Sequence, residues 1–199
     1  EPASAAPLTS ADELLFRISQ IPEGIAAPAL LFSLLKAHLR LQAAALLLLD
    51  SARQLFVPWC STGLDTTTRH RLLLPPGLNE PFNHAASGEV TLVEREEMQG
   101  FREFFSSREF ALIRRLILVP FVHGRRLLGL LIIARMASEP TGEMLSLLRQ
   151  VAPQAAPPLL RVAGRQGDDG LRDTGQPLPE LVAGMLESAK QHSHPLLLM

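Results

Sequence analysis

Apolar positions along the chain change period twice, dividing it into a helical start, a strand-rich middle and a helical return. Ser10-Ala11-Asp12-Glu13 has capping-box spacing, with a hydroxyl for the Glu13 amide and a carboxylate that reaches back. A short helix is predicted from there to about Gln20, stopped by Pro22. A second helix carries Leu30, Leu31, Leu34 and Leu35 at helical spacing, with Pro28 in its first turn. The period then shifts. "AAALLLLD" (43–50) is a continuous apolar run ended by Asp50-Ser51, the pattern of a strand covered on both faces. "QLFVPWCS" (54–61) is its predicted partner, and "RHRLLL" (69–74) a third strand closed by Pro75-Pro76-Gly77.

The middle has another texture. Residues 77–97 read as a loop, a short helix, a Ser87-Gly88 stop and a short strand at Val90–Val93. Residues 96–112 are aromatic-rich, with Phe101, Phe104 and Phe105 at helical spacing. Then "LILVPFVHGRRLLGLLIIARM" (116–136) sets two apolar runs around a polar centre. A membrane hairpin, a core hairpin and a basic ligand site share that outline. Each run is about eight residues, a strand's length and not a bilayer's. Arg114-Arg115 and Arg125-Arg126 bracket the first run, and His123-Gly124 supplies a tight turn. The reading is a central β-hairpin, with Pro120 at a bend and Gly129 where a neighbour approaches closely.

From Pro140 the helical period returns through Leu145, Leu148, Val151, Ala152, Ala155 and Leu159. Pro153, Pro157 and Pro158 predict a kinked or broken helix. The order of elements gives an α+β chain whose sheet is mostly antiparallel, because several connections are too short for parallel crossovers. Residues 1–9 read as a loose N-terminus, 10–162 as the domain and 163–180 as a Gly-rich linker. Residues 181–199 read as a C-terminal extension or the truncated start of a further domain.

Charge narrows the partners. Lys+Arg 19 against Asp+Glu 20 gives a net charge of −1 across 199 residues, so no basic field points to nucleic acid or a lipid surface. One Cys excludes an intrachain disulfide framework and fits a reducing compartment. The expectation is a cytoplasmic protein with no membrane span.

The hairpin phrase "LILVPFVHGRRLLGLLIIA" resembles the signature hairpin of GAF domains, in which a Pro-ended strand precedes a Gly-containing turn and strand. "ALLLLDSARQLFVPWCSTG" resembles that family's first hairpin, and "PPGLNEPFNHAASGEVTLVE" its loop–helix–strand unit. The resemblance covers about 12–162. It implies a GAF-like central antiparallel six-stranded sheet with helices on both faces, a homodimer through the terminal helices, and a small-molecule pocket roofed by the middle helices. "ELVAGMLESAKQHSHPLLLM" weakly resembles the start of a GGDEF-type domain, which implies a downstream signalling domain.

Catalysis finds little support. His123 sits in a turn, and His192-x-His194 lacks a Cys, Asp or Glu neighbour to complete a metal set. Cys60 reads as a small buried hydrophobe. Some relatives of the resembled family reduce methionine sulfoxide with several cysteines, and this chain has one. No Gly-rich phosphate loop is present, no cofactor is named by the residues, and the expectation is a non-enzyme. The candidate ligand-binding set is Trp59, Arg71, Asn79, Phe82, Phe105, Val119 and Phe121, which offers stacking surfaces, one cation and one amide. The alternative is a GAF-like dimerisation or scaffold module whose aromatic residues fill the space under the roof.

Overall fold

The N-terminal cap forms as its spacing predicts: the Ser10 hydroxyl accepts the Glu13 amide at 3.1 Å and starts helix α1 (Ala11–Ser19). A computed structural model describes residues 10–163. The expected loose terminus, most of the linker, the C-terminal extension and the GGDEF-like phrase lie outside the described residues. Helix α2 (Ala27–Leu39) has Pro28 in its first turn and ends at Arg40 in a left-handed conformation, φ 50°. Strands β1 (Leu41–Asp50) and β2 (Leu55–Thr62) follow. Asp50 is 2 % exposed and shapes the turn between them, its carboxylate accepting the amides of Ala52 and Arg53 at 2.9 and 3.2 Å.

Helices α3 (Thr66–Arg71) and α4 (Glu80–Ala86), strand β3 (Thr91–Val93), a 3₁₀ helix (Glu97–Phe104) and helix α5 (Ser107–Leu112) make up the middle of the chain. Strands β4 (Leu116–His123) and β5 (Arg126–Met136) form the hairpin, and helix α6 (Gly142–Leu159) closes the domain. The sheet is antiparallel, in the order β2-β1-β5-β4-β3.

Two expectations need correction here. The sheet has five strands and not six, because 69–74 does not form one. Its first half is helix α3, seeded by the Asp65 carboxylate accepting the Thr68 amide at 2.7 Å. Its second half survives as a single bridge, with Phe56 and Leu74 exchanging both backbone bonds at 2.8 and 3.0 Å. Pro75 and Pro76 carry no N–H, so the bridge cannot lengthen into a ladder. Second, of the kinked or broken helix expected after Pro140, the break does not occur: α6 runs on across its three prolines. Pro153 and Pro157 lie on its exposed side, where carbonyls that lose a partner turn to water, while Val151, Ala155 and Leu159 hold the other side in the core.

Alternation along the strands divides the core into two layers. Leu46, Leu48, Ile117, Val119, Phe121 and Leu131 face the terminal helices α1, α2 and α6. Ala45, Leu47, Leu116, Leu118, Leu130 and Ile132 face the roof of α3, α4, the 3₁₀ helix and α5. The central hairpin turns at Gly124, φ 62°, and His123 is exposed beside it, paired with Arg126. Gly129 meets the expected close neighbour, which is strand β1 itself. A Cβ there would lie 2.6 Å from the Leu47 carbonyl oxygen and 2.8 Å from the Leu48 side chain. Leu31 and Leu35, from the apolar stripe of α2, are fully buried within the domain.

Candidate functional site

The layer between sheet and roof is where a ligand pocket is expected, and aromatic side chains occupy it. Phe56 of β2 and Phe82 of α4 meet edge to face, with ring centroids 5.6 Å apart and planes at 61°. Phe101 and Met98 of the 3₁₀ helix are fully buried in the same layer, as are Leu72 and Leu74. Phe104, Phe105 and Phe110 complete it. Local sequence explains why these side chains point inward. Asn79 caps α4 by accepting the Phe82 amide at 2.9 Å, and this sets the helical phase that drives Phe82 into the sheet. Gly100 lets the 3₁₀ helix approach that cap, since a Cβ there would stand 2.7 Å from the Asn79 side-chain nitrogen.

A polar clasp locks the rim of the roof. Asp65 and Ser106 are the N-caps of α3 and α5, and the Ser106 hydroxyl donates to the Asp65 carboxylate. The Ser106 amide donates to the buried Thr68 hydroxyl at 2.9 Å. Glu109, 8 % exposed, accepts the Asp65 amide at 2.7 Å. The bond from Ser106, followed by the Thr68 amide, holds the Asp65 carboxyl below its ordinary pKa. The signal for this clasp was in the sequence: Ser106-Ser107-Arg108-Glu109 has capping-box spacing. Here the glutamate reaches a different helix's cap instead of its own.

The structure divides the seven expected ligand residues. Phe82 and Phe105 lie under the roof, Asn79 is the cap beside them, and Arg71 is exposed at the end of α3. Val119 and Phe121 face the terminal helices on the opposite side of the sheet. Trp59 joins them there by simple alternation along β2, since Phe56 faces the roof and positions 57 and 59 face the other way. A bulge follows, with Leu46 paired to Cys60 and Leu47 to Pro58, and it brings Cys60 to the same side as Trp59. The set therefore does not converge on one cavity.

Chemically reactive groups are muted. Burial pushes the Cys60 thiol up to about 12, so it is protonated at neutral pH and a poor nucleophile. His38, at the end of α2, is held below its ordinary pKa by burial, and its Nδ1 is buried without a partner. Among the described residues, no three His, Cys, Asp or Glu side chains gather as a metal site. No helix among them is long and apolar enough to cross a membrane.

Two open concavities mark the surface. One, of about 430 Å³, lies outside the roof between Arg71, Arg102 and Ser107, with Phe105 at its base. The other, of about 270 Å³, lies at the end of the β4–β5 pair among Arg114, Arg115, Arg135 and Glu139.

An antiparallel sheet with terminal helices on one face and a roof of short helices on the other is the GAF fold, and solved structures agree. The GAF domain of an Acinetobacter phosphoenolpyruvate-protein phosphotransferase superposes with a TM-score of 0.60 at 15 % identity, over 79 % of this chain and 96 % of that one. The corresponding domain from Coxiella burnetii gives 0.59 at 16 % identity, over 76 % of this chain and 91 % of that one. fRMsr of Staphylococcus aureus, in complex with substrate, gives 0.55 at 15 % identity, over 78 % and 99 %. No curated protein sequence matches the chain significantly. The chain belongs to the family described as "Uncharacterised protein N-terminal domain" (TP_0208_N), whose model matches residues 4–147.

Proposed function

We propose that this chain is a GAF-fold regulatory domain of a signalling protein that acts through its surfaces, as a dimerisation or scaffold module, with no small molecule between sheet and roof. The observation that carries this reading is the filled layer: Phe56, Phe82, Phe101 and Phe105 are each at most 2 % exposed and pack where a ligand would sit. A small-molecule site of ordinary kind needs about 300 Å³ or more of enclosed space with a few inward polar groups. Both surface concavities described above are open instead. Similarity to GAF domains of phosphotransferases supports a regulatory role at the level of fold. The high thiol pKa of Cys60 and its place on the terminal-helix side argue against a catalytic role like that of an enzyme sharing the fold.

Dimerisation would use the terminal-helix layer. Leu31 and Leu35 belong to the core, so they are not the contact. Phe16 on α1, Ile25 in the loop before α2 and Leu160 just after α6 are 65 %, 70 % and 41 % exposed, an apolar supply on that layer. An ion pair of 2.7 Å between Glu23 and Arg161 ties this loop to the end of α6. The test is native mass spectrometry of the full chain purified from its own host. The reading expects the mass of protein alone, as a dimer. A stoichiometric small molecule retained by the folded protein overturns it.

A further inference from the structure

We infer that the groove at the end of the β4–β5 pair is a docking site for an acidic segment of a partner protein, held in its resting state by the chain's own Glu139. The groove brings three arginines, Arg114, Arg115 and Arg135, to one place, against a single lining carboxylate. Ile117 and Ile133 at its floor are buried in the core, Met136 is half-buried, and Leu112 at its edge is 54 % exposed. Cations and aliphatic surface thus stand side by side.

Glu139 shows where a ligand carboxylate would lie. One oxygen is 3.8 Å from Arg114 and the other 3.6 Å from Arg115, so the group bridges two guanidinium forks. Arg115 also stands 3.5 Å from Glu94. All three separations exceed the roughly 2.7–2.9 Å of a charge-assisted hydrogen bond, and the pairs are solvent-facing, with Glu139 68 % exposed. Solvent-screened pairs of this kind contribute little. Arg114 and Arg115 make no hydrogen bond among the described residues, so their planar donor sets are available for bidentate contacts. A partner carboxylate that meets them squarely would displace Glu139 at small cost.

The shape selects a peptide over a small molecule. At about 270 Å³ and open to solvent, the groove falls short of the enclosure that holds a small ligand. An extended segment that alternates acidic and aliphatic residues matches both its charge and the apolar surface of Leu112 and Met136. This inference rests on residues separate from those that close the sheet–roof layer, so either stands if the other fails.

The test uses the full chain and fluorescence anisotropy with a labelled hexapeptide alternating Glu and Leu, beside a Lys/Leu counterpart. The acidic peptide is expected to bind and the basic one not. Arg115→Gln should weaken binding about tenfold, since a charge contact and a bidentate donor are lost together. Glu139→Gln should tighten it several-fold by removing the internal competitor, and Arg17→Gln, on α1, should leave it unchanged. Raising salt from about 50 to about 500 mM should weaken it. Equal binding of both peptides, no loss in Arg115→Gln, or no gain in Glu139→Gln overturns the inference. Full displacement of the peptide by inorganic phosphate at comparable concentration also overturns it, because the groove would then be a small-anion site.

Discussion

Truncating Phe82 to alanine should open a hole in the aromatic layer under the roof. Phe82 is 1 % exposed and lies between the sheet and α4, edge to face with Phe56 at 5.6 Å. A buried Phe→Ala change costs about 3–5 kcal/mol when surrounding atoms cannot collapse into the space, and the lost aromatic pair falls within that range. Collapse is hindered here because Phe82 is fixed from one side by the Asn79 cap and from the other by the paired strand β2. Against a total stability of about 5–15 kcal/mol, a loss near 4 kcal/mol is a large share. For a domain of this size it should lower Tm by about 8–16 °C. Urea unfolding followed by circular dichroism gives the free energy directly, with Phe82→Leu as a control expected to lose about 1–1.5 kcal/mol. A loss below about 1 kcal/mol in Phe82→Ala would refute the reasoning, since it would mean that the ring borders a cavity in the wild-type protein.

Three other outcomes follow from the same geometry. Ser106→Ala should destabilise the domain by about 1–2 kcal/mol through loss of a cap and a cross-link between helices, and the Asp65 carboxyl should titrate closer to its ordinary value by NMR. An unshifted Asp65 midpoint would count against the clasp. His38 is neutral-favouring in the fold, so its contribution to stability is complete above its unfolded pKa of 6.5 and lost as pH falls through 6.5 toward the lower folded value. Urea unfolding at about pH 7.5 and about pH 5.5 should show a decrease that His38→Gln reduces, and an identical decrease in both proteins would exclude His38 as its source. Phe16→Glu alters a side chain that is 65 % exposed, so the fold should persist while light scattering reports monomers in place of dimers; an unchanged dimer would remove α1 from the interface.

The fold was largely legible because its signals are local. The Ser10 cap, the Pro28 first turn and the Gly124 turn each act within a few residues, and each appears where the sequence places it. The segment 69–74 resembles a strand through Leu72, Leu73 and Leu74, while the group that decides its structure, Asp65, lies upstream of it. The divided site has a different cause. Runs such as "LILVPF" are apolar at every position, so they carry no mark of which residue faces which layer. Trp59 follows the alternation set by Phe56, while the bulge that puts Cys60 on the same side is a property of pairing between two strands that neither strand's sequence records. The α6 prolines show a third case, in which buried contacts elsewhere on the helix outweigh a local breaker.

The closed sheet–roof layer is the claim on which the functional reading depends, and a xenon-pressurised crystal of the wild-type chain tests it most directly. Xenon enters empty apolar cavities in protein interiors, so a filled layer has no place for it. No xenon peak is expected between Phe56, Phe82 and Phe105 in the wild-type protein, and a peak is expected at that place in Phe82→Ala. An ordered xenon atom, or density for a retained molecule, beside those rings in the wild-type crystal would contradict it.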